Sequence, residues 1–230
     1  MKTIGLLGGM SWESSLEYYR NINRMVKARK GGLHSAKCLM YSVDFQEIET
    51  LQAQGSWDEA GRILGDAAAS LEKGGADFLL ICTNTMHKVA PDIQRRISMP
   101  LLHIADPTAR AVKSQGIRKI GLLGTRFTMQ EDFYKGKLIR DHGLSVVTPD
   151  AEDAHTVDEV IFKELCLGQI KEDSKKRYLE IIDRLATAGA EGVILGCTEI
   201  GLLIKAADSP IPLFDTTAIH AQAAVDLAFH

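Results

Sequence analysis

The 230-residue sequence predicts an α/β protein of two pseudo-symmetric lobes, each a mostly parallel sheet flanked by helices, with an active-site cleft between them. Three observations predict it. Short β-branched or leucine-rich runs alternate with longer amphipathic stretches, as parallel strands joined by helical crossovers require. Ile4-Gly5-Leu6-Leu7-Gly8 recurs as Ile120-Gly121-Leu122-Leu123-Gly124, displaced by 116 residues. The stretch from Gly75 to Thr85 returns between Gly189 and Glu199 at an offset of 114, which sets Thr83 opposite Cys197. A weaker pair sets Asp106-Pro107-Thr108-Ala109 against Asp215-Thr216-Thr217-Ala218. Two related halves facing each other suit chemistry on both faces of one small molecule.

In chain order, strands are expected at 3–7, 37–43, 77–82, 100–104, 118–123, 144–148, 191–196 and 211–214. Helices are expected at 13–29, 56–73, 128–141 and 174–188, where apolar residues recur at three and four, as Ile181, Leu185 and Ala188 do. Gly31-Gly32, Gly74-Gly75, Gly116, Gly143 and Gly189 stand where C-terminal caps belong. No low-complexity linker separates the halves. The expected division is 1–98 plus 208–230 for the first lobe and 99–207 for the second.

Bulk properties narrow the function. A net charge of −3 with acids and bases interspersed leaves no basic stripe, so neither nucleic acid nor an anionic membrane is an expected partner. No apolar run reaches the ~18 residues of a membrane span. Met1-Lys2 leads straight into the apolar Thr3-Ile4-Gly5-Leu6-Leu7, unlike a secretory leader, and a cytoplasmic location is expected. Cys38, Cys82, Cys166 and Cys197 are widely spaced, without C-x-x-C or nearby histidine ligands. That argues for reduced thiols, against a disulfide framework and against a metal site.

Cys197 ends the apolar run Val193-Ile194-Leu195-Gly196 and precedes Thr198-Glu199-Ile200-Gly201, which reads as a turn into a short helix. A helix N-terminus favours thiolate over thiol and makes such a cysteine a base or nucleophile. From this segment alone, a buried cysteine acting as a small hydrophobe stands at equal weight; the duplicated partner tips the balance towards function. Thr83 holds the equivalent place in Cys82-Thr83-Asn84-Thr85-Met86-His87. Cys82 is adjacent, but neighbouring strand residues point to opposite sides. Asn84, Thr85, Thr198 and Glu199 are short polar groups suited to holding an ammonium or carboxylate, and helix capping is compatible with that role.

The loop Gly8-Gly9-Met10-Ser11-Trp12 fits neither G-x-G-x-x-G nor G-x-x-x-x-G-K-[ST], which argues against a nucleotide. It reads either as a tight strand-to-helix turn or as a loop that also lines the site with Met10 and Trp12. Its counterpart Gly124-Thr125-Arg126-Phe127-Thr128 adds the hydroxyls of Thr125 and Thr128 and one cation. The seven histidines form no readable triad; His87 alone sits beside a motif, as a supporting residue. The charged stretch from Lys171 to Arg177 reads as a solvated helix face.

These residues resemble the aspartate/glutamate racemase superfamily, closest to its bacterial aspartate racemase and broad-specificity amino-acid racemase branch. The resemblance covers the whole chain: the opening Ile4 to Met10, the segment Thr83-Asn84-Thr85-Met86-His87, and Gly196-Cys197-Thr198-Glu199. It implies a homodimeric, pyridoxal-phosphate-independent isomerase with no cofactor, metal or nucleotide, acting on an amino acid. The family sets two cysteines on opposite sides of the substrate α-carbon. Carried over, Cys197 is the second, and Thr83 stands where the first belongs.

A threonine hydroxyl is far too weakly acidic to sit as an alkoxide near neutral pH, so the two faces are chemically unequal and a rate bias towards one enantiomer is expected. The segment Ser42 to Glu49 offers acids rather than arginine for a distal carboxylate, and Cys166 falls close to where a lysine would be sought. Lys163 and Arg126 are possible substitutes, and Gln52 a polar contact. The substrate range expected is aspartate, glutamate or a broader set including homoserine. Two alternatives stand beside this: a single-cysteine decarboxylase or isomerase of the same superfamily, and a non-catalytic amino-acid-binding protein.

Overall fold

The computed structural model describes all 230 residues, which form two compact units. The first holds Met1–Ile104 and His220–His230, the second Ala105–Ile219.

In the first unit the chain runs β1 (Ile4–Gly8), α1 (Trp12–Lys30), β2 (Cys38–Ser42), α2 (Phe45–Gln54), α3 (Trp57–Lys73), β3 (Phe78–Ile81), a 3-10 turn Thr85–Val89, and α4 (Ala90–Gln94). The strands are parallel in the order β2-β1-β3, with Ile4 level with Cys38 and Phe78. Both faces are covered, so β1 and β3 read as unbroken apolar runs. Alternation then sorts the side chains. Leu7, Leu79 and Ile81 pack with Leu64 and Ala68 of α3, while Leu6, Phe78, Leu80 and Cys82 pack with Tyr18, Ile22 and Val26 of α1. Cys82 therefore sits on the α1 face.

The second unit runs α5 (Ala105–Ser114), β4 (Lys119–Gly124), α6 (Arg126–Gln130), α7 (Lys135–Arg140), β5 (Ser145–Val147), α8 (Ala151–Lys163), a 3-10 turn Leu165–Leu167, α9 (Glu172–Thr187), β6 (Val193–Gly196), α10 (Ile200–Leu203), a 3-10 turn Ala206–Asp208, and β7 (Leu213–Asp215). Its sheet is parallel in the order β5-β4-β6-β7. The leading strand lies between the next two in both units, β1 between β2 and β3 and β4 between β5 and β6. This is the duplication in three dimensions. The last helix, α11 (Thr216–Phe229), starts directly after β7, and its residues from Ala221 to Ala228 line the α1 side of the first unit's core. The two-sheet α/β architecture is the one the alternation predicted.

Two expectations change. Residues 100–104 are not a strand: Leu101 makes one bridge to Leu79 at the edge of β3 before the chain turns into α5. The 128–141 helix is two, α6 and α7, broken around a fully buried Tyr134. The two compact units divide at 104/105 and 219/220; residues 100–102 bond to β3, and β7 pairs with β6.

Candidate active site

Each leading strand ends in a glycine followed by a hydroxyl-capped helix. In the first unit Ser11 caps α1, its Oγ accepting from the Ser14 N–H at 3.3 Å; in the second Thr125 caps α6, its Oγ1 accepting from the Thr128 N–H at 3.3 Å. Gly9 has φ +93°, and a Cβ there would stand 2.2 Å from the Val43 carbonyl oxygen, so only glycine lets this turn lie against the segment after β2. Gly124 and Gly196 lie level on β4 and β6, and a Cβ on either would meet the other strand's backbone at 2.8 Å. The vacated space takes the Thr128 side chain, whose Cγ2 would lie 3.2 Å from a Cβ at Gly196. Thr125 and Thr128 thus gather beside the end of β6, their hydroxyls 3.2 Å apart.

The next residue after Gly196 is Cys197. It is buried, packed in the second unit's core with Ile200 and Leu203, and its Sγ–H donates to Glu199 Oε2 at 3.0 Å. The Thr198 hydroxyl donates to the same oxygen at 2.7 Å. Cys197, Thr198 and Glu199 are one hydrogen-bonded group on one tight turn. Burial pushes the Cys197 thiol well above its ordinary pKa, and the Glu199 carboxylate raises it further; only the Glu199 backbone N–H pulls the other way. The expected helix-start thiolate is corrected accordingly. The helix after Cys197 has four residues, and the near field is set by a carboxylate rather than a dipole.

In the first unit Thr83, Asn84 and Thr85 are all buried at the end of β3. Gln52, also buried, donates from Nε2 to Met86 Sδ at 3.0 Å. Met10 is in the same apolar cluster as Met86, Ile48 and Ile81. Trp12 lies apart, 64% exposed, in an apolar groove of about 380 Å³ with Leu16, Tyr19, Cys38 and Met40. Of the two substitute cations, Lys163 pairs with Glu159 at the surface and Arg126 stacks 4.7 Å from the Phe127 ring centroid.

Two relationships were invisible in the sequence. Glu199 is the thiol's acceptor, which the i, i+2 spacing in Cys197-Thr198-Glu199 signals only once the turn is known. His87 holds the Thr83 carbonyl at 2.8 Å through Nδ1, an i, i+4 contact that a 3-10 turn makes available.

The chain thus combines two parallel α/β sheets with a buried cysteine–carboxylate pair at the end of β6. Residues 7–224 match the Asp/Glu/hydantoin racemase family, and the chain belongs to that family of isomerases. It is 27% identical over 172 residues to the broad-specificity amino-acid racemase RacX of Bacillus subtilis, covering 73% of this chain and 72% of that one. Among solved structures, a candidate Asp/Glu racemase from Yersinia pestis is 56% identical with a TM-score of 0.92, and an aspartate racemase homologue from Pyrococcus horikoshii is 36% identical with a TM-score of 0.86; both alignments cover 100% of each chain.

Proposed function

We propose that this enzyme is a cofactor-independent amino-acid racemase in which Cys197 takes the substrate α-proton and the Thr83 side returns one to the opposite face. The observation that carries the proposal is the 3.0 Å hydrogen bond from the Cys197 thiol to Glu199, because it gives the thiol proton somewhere to go. Transfer of that proton to the carboxylate yields a thiolate beside a neutral acid, with no change in net charge. A substrate ammonium nearby favours the thiolate further. The thiolate then takes the α-proton, and the C–H electron pair stays on the α-carbon as a carbanion. A proton arrives on the other face from the Thr83 hydroxyl or a water held by it; Thr83 recovers its proton from solvent and Glu199 gives up to solvent the one it took, which restores the thiol, the carboxylate and the resting charge. Nothing in these steps draws on pyridoxal phosphate, a metal or a nucleotide. The proposal puts the enzyme in the cytoplasm, a reducing compartment in which its four cysteines would stay thiols.

The substrate class we propose is aspartate, glutamate or a broader set including homoserine. Asn84, Thr85, Thr125, Thr128, Thr198 and Gln52 offer hydrogen bonds to a zwitterion, and Lys163 is occupied by Glu159. That lean towards uncharged polar contacts accords with the broad specificity named for the Bacillus relative.

We also propose a homodimer. The edge strand β2 and α1 present Trp12, Leu16, Tyr19 and Met40 to solvent around one apolar groove. An unpaired edge pairs most simply with its own copy across a two-fold axis, which covers the same patch on both.

The test is proton NMR in D2O with L- and D-aspartate, glutamate, homoserine and serine, comparing wild type with Cys197→Ser. Loss of the α-proton signal with appearance of the other enantiomer, abolished by the substitution, supports the racemase and ranks its substrates. Absence of exchange with every amino acid overturns it. A decarboxylase would instead release carbon dioxide from a malonate.

A further inference from the structure

A buried aromatic cluster lies behind the end of β3, in the first unit. His87, Tyr18 and His220 are all buried, and the His87 ring centroid is 4.5 Å from that of His103 and 6.0 Å from that of His220. The hydrogen bonds fix the tautomers. The Ile104 backbone N–H points at His87 Nε2 at 3.1 Å, and a donor requires a lone pair there, so Nδ1 carries the hydrogen it donates to the Thr83 carbonyl at 2.8 Å. His220 has the opposite arrangement. The Leu102 carbonyl only accepts, so Nε2 carries that hydrogen at 2.8 Å, and Nδ1 accepts from the Tyr18 hydroxyl at 2.8 Å. Burial holds His87 well below the usual histidine range, and a positive charge on it would also face His103 and His220.

An imidazole whose two nitrogens are both committed to backbone groups has no position left for the reacting atoms. Its effect falls on what it holds. We propose that His87 is a positioning residue: by gripping the Thr83 carbonyl from one side and the Ile104 N–H from the other, it fixes the backbone of Thr83 and so the direction of the Thr83 hydroxyl. This rests on the reading of Thr83 as the proton-returning side. It follows that losing the Thr83 contact impairs delivery of the proton to the far face, while proton removal by Cys197 continues.

Two near-isosteres separate the two contacts. His87→Asn sets an amide N–H where Nδ1–H stood and keeps the Thr83 bond; His87→Gln sets its amide near Nε2, keeps an acceptor for Ile104 and loses the Thr83 donor. In D2O, α-proton exchange with retention reports the Cys197 face alone, and racemisation reports both faces. The expected result is that His87→Gln lowers racemisation about tenfold while exchange with retention stays within about threefold, and that His87→Asn stays near wild type. Equal loss of both activities in His87→Gln, or loss in His87→Asn with retention in His87→Gln, overturns the proposal. Absence of exchange in wild type would instead sink the racemase reading itself. Should neither variant fold, ¹⁵N NMR of the wild-type imidazoles decides: a neutral Nδ1–H tautomer at His87, with no titration near the ordinary ~6.5, is expected, and an Nε2–H tautomer or titration near ~6.5 overturns the proposal.

Discussion

The Cys197 thiol and the Glu199 carboxylate share a 3.0 Å hydrogen bond on a single turn at the end of β6. A carboxylate beside a buried thiol opposes ionisation and yet accepts the thiol proton, so its removal has two opposite effects. Glu199→Gln takes away the negative charge that raises the thiol. Alkylation of Cys197 by iodoacetamide near pH 8 should therefore become several-fold faster, while racemisation falls by about 10²-fold for want of the proton acceptor. Parallel kinetics of alkylation and turnover check this; slower alkylation in the variant would contradict it.

The raised thiol also sets the pH dependence. Direct ionisation of the Cys197 thiol is suppressed across neutral pH, and the transfer to Glu199 that replaces it leaves the net charge unchanged, so kcat/KM of the free enzyme should show no rise through the ~8.5 at which an ordinary thiol is half ionised. A pH–rate profile that climbs through that range would mean that the thiolate forms by loss of its proton to solvent, without Glu199 as acceptor.

His87 contributes to stability with a definite sign. Its folded pKa lies below its unfolded value, so the unfolded chain binds more protons in the interval between them. The contribution is present above about pH 6.5 and is lost as pH falls towards the depressed value. Thermal melts between pH 7 and 5 should show a falling Tm in wild type and a shallower fall in His87→Asn.

The glycines at the end of β6 make a separate structural prediction. A methyl at Gly196 would stand 2.8 Å from the Leu123 carbonyl oxygen and 3.2 Å from Thr128 Cγ2, and the first of these is backbone that cannot yield cheaply. Gly196→Ala should cost about 1–3 kcal/mol, a Tm loss of several degrees for a chain of this length. Gly143→Ala, in open space at a turn with φ +70°, should lose stability through backbone conformation alone.

How much of this was legible beforehand depended on what each feature rests on. The doubled strand motif, with Gly8 answering Gly124, announced two sheets with the same internal order, because buried parallel strands are written as apolar runs. The strand-end placement of Thr83 and Cys197 followed from the same repeat. Tyr134 breaks the helix expected at 128–141 by being needed in the core, a tertiary demand that periodicity does not encode. Leu101 and its apolar neighbours read as a strand, yet Leu101 forms a single bridge, to Leu79. Cys197 was expected at a helix start that favours its thiolate; the following helix is a single turn, and the buried carboxylate two residues away reverses the sign. His87 and His220 lie 133 residues apart in the chain, and only folding brings their rings to 6.0 Å.

In the proposed mechanism the two protonating faces are chemically unequal. For a racemase the equilibrium constant is one, so kcat/KM must match in the two directions and the inequality must appear at saturating substrate. Initial rates from saturating L- and D-enantiomer of the best substrate, in wild type and in Thr83→Cys, measure it directly. A strong bias is expected in wild type, with a rise in the slower direction when a thiol replaces the hydroxyl at 83. Equal rates in wild type, or a bias that Thr83→Cys leaves unchanged, would contradict it.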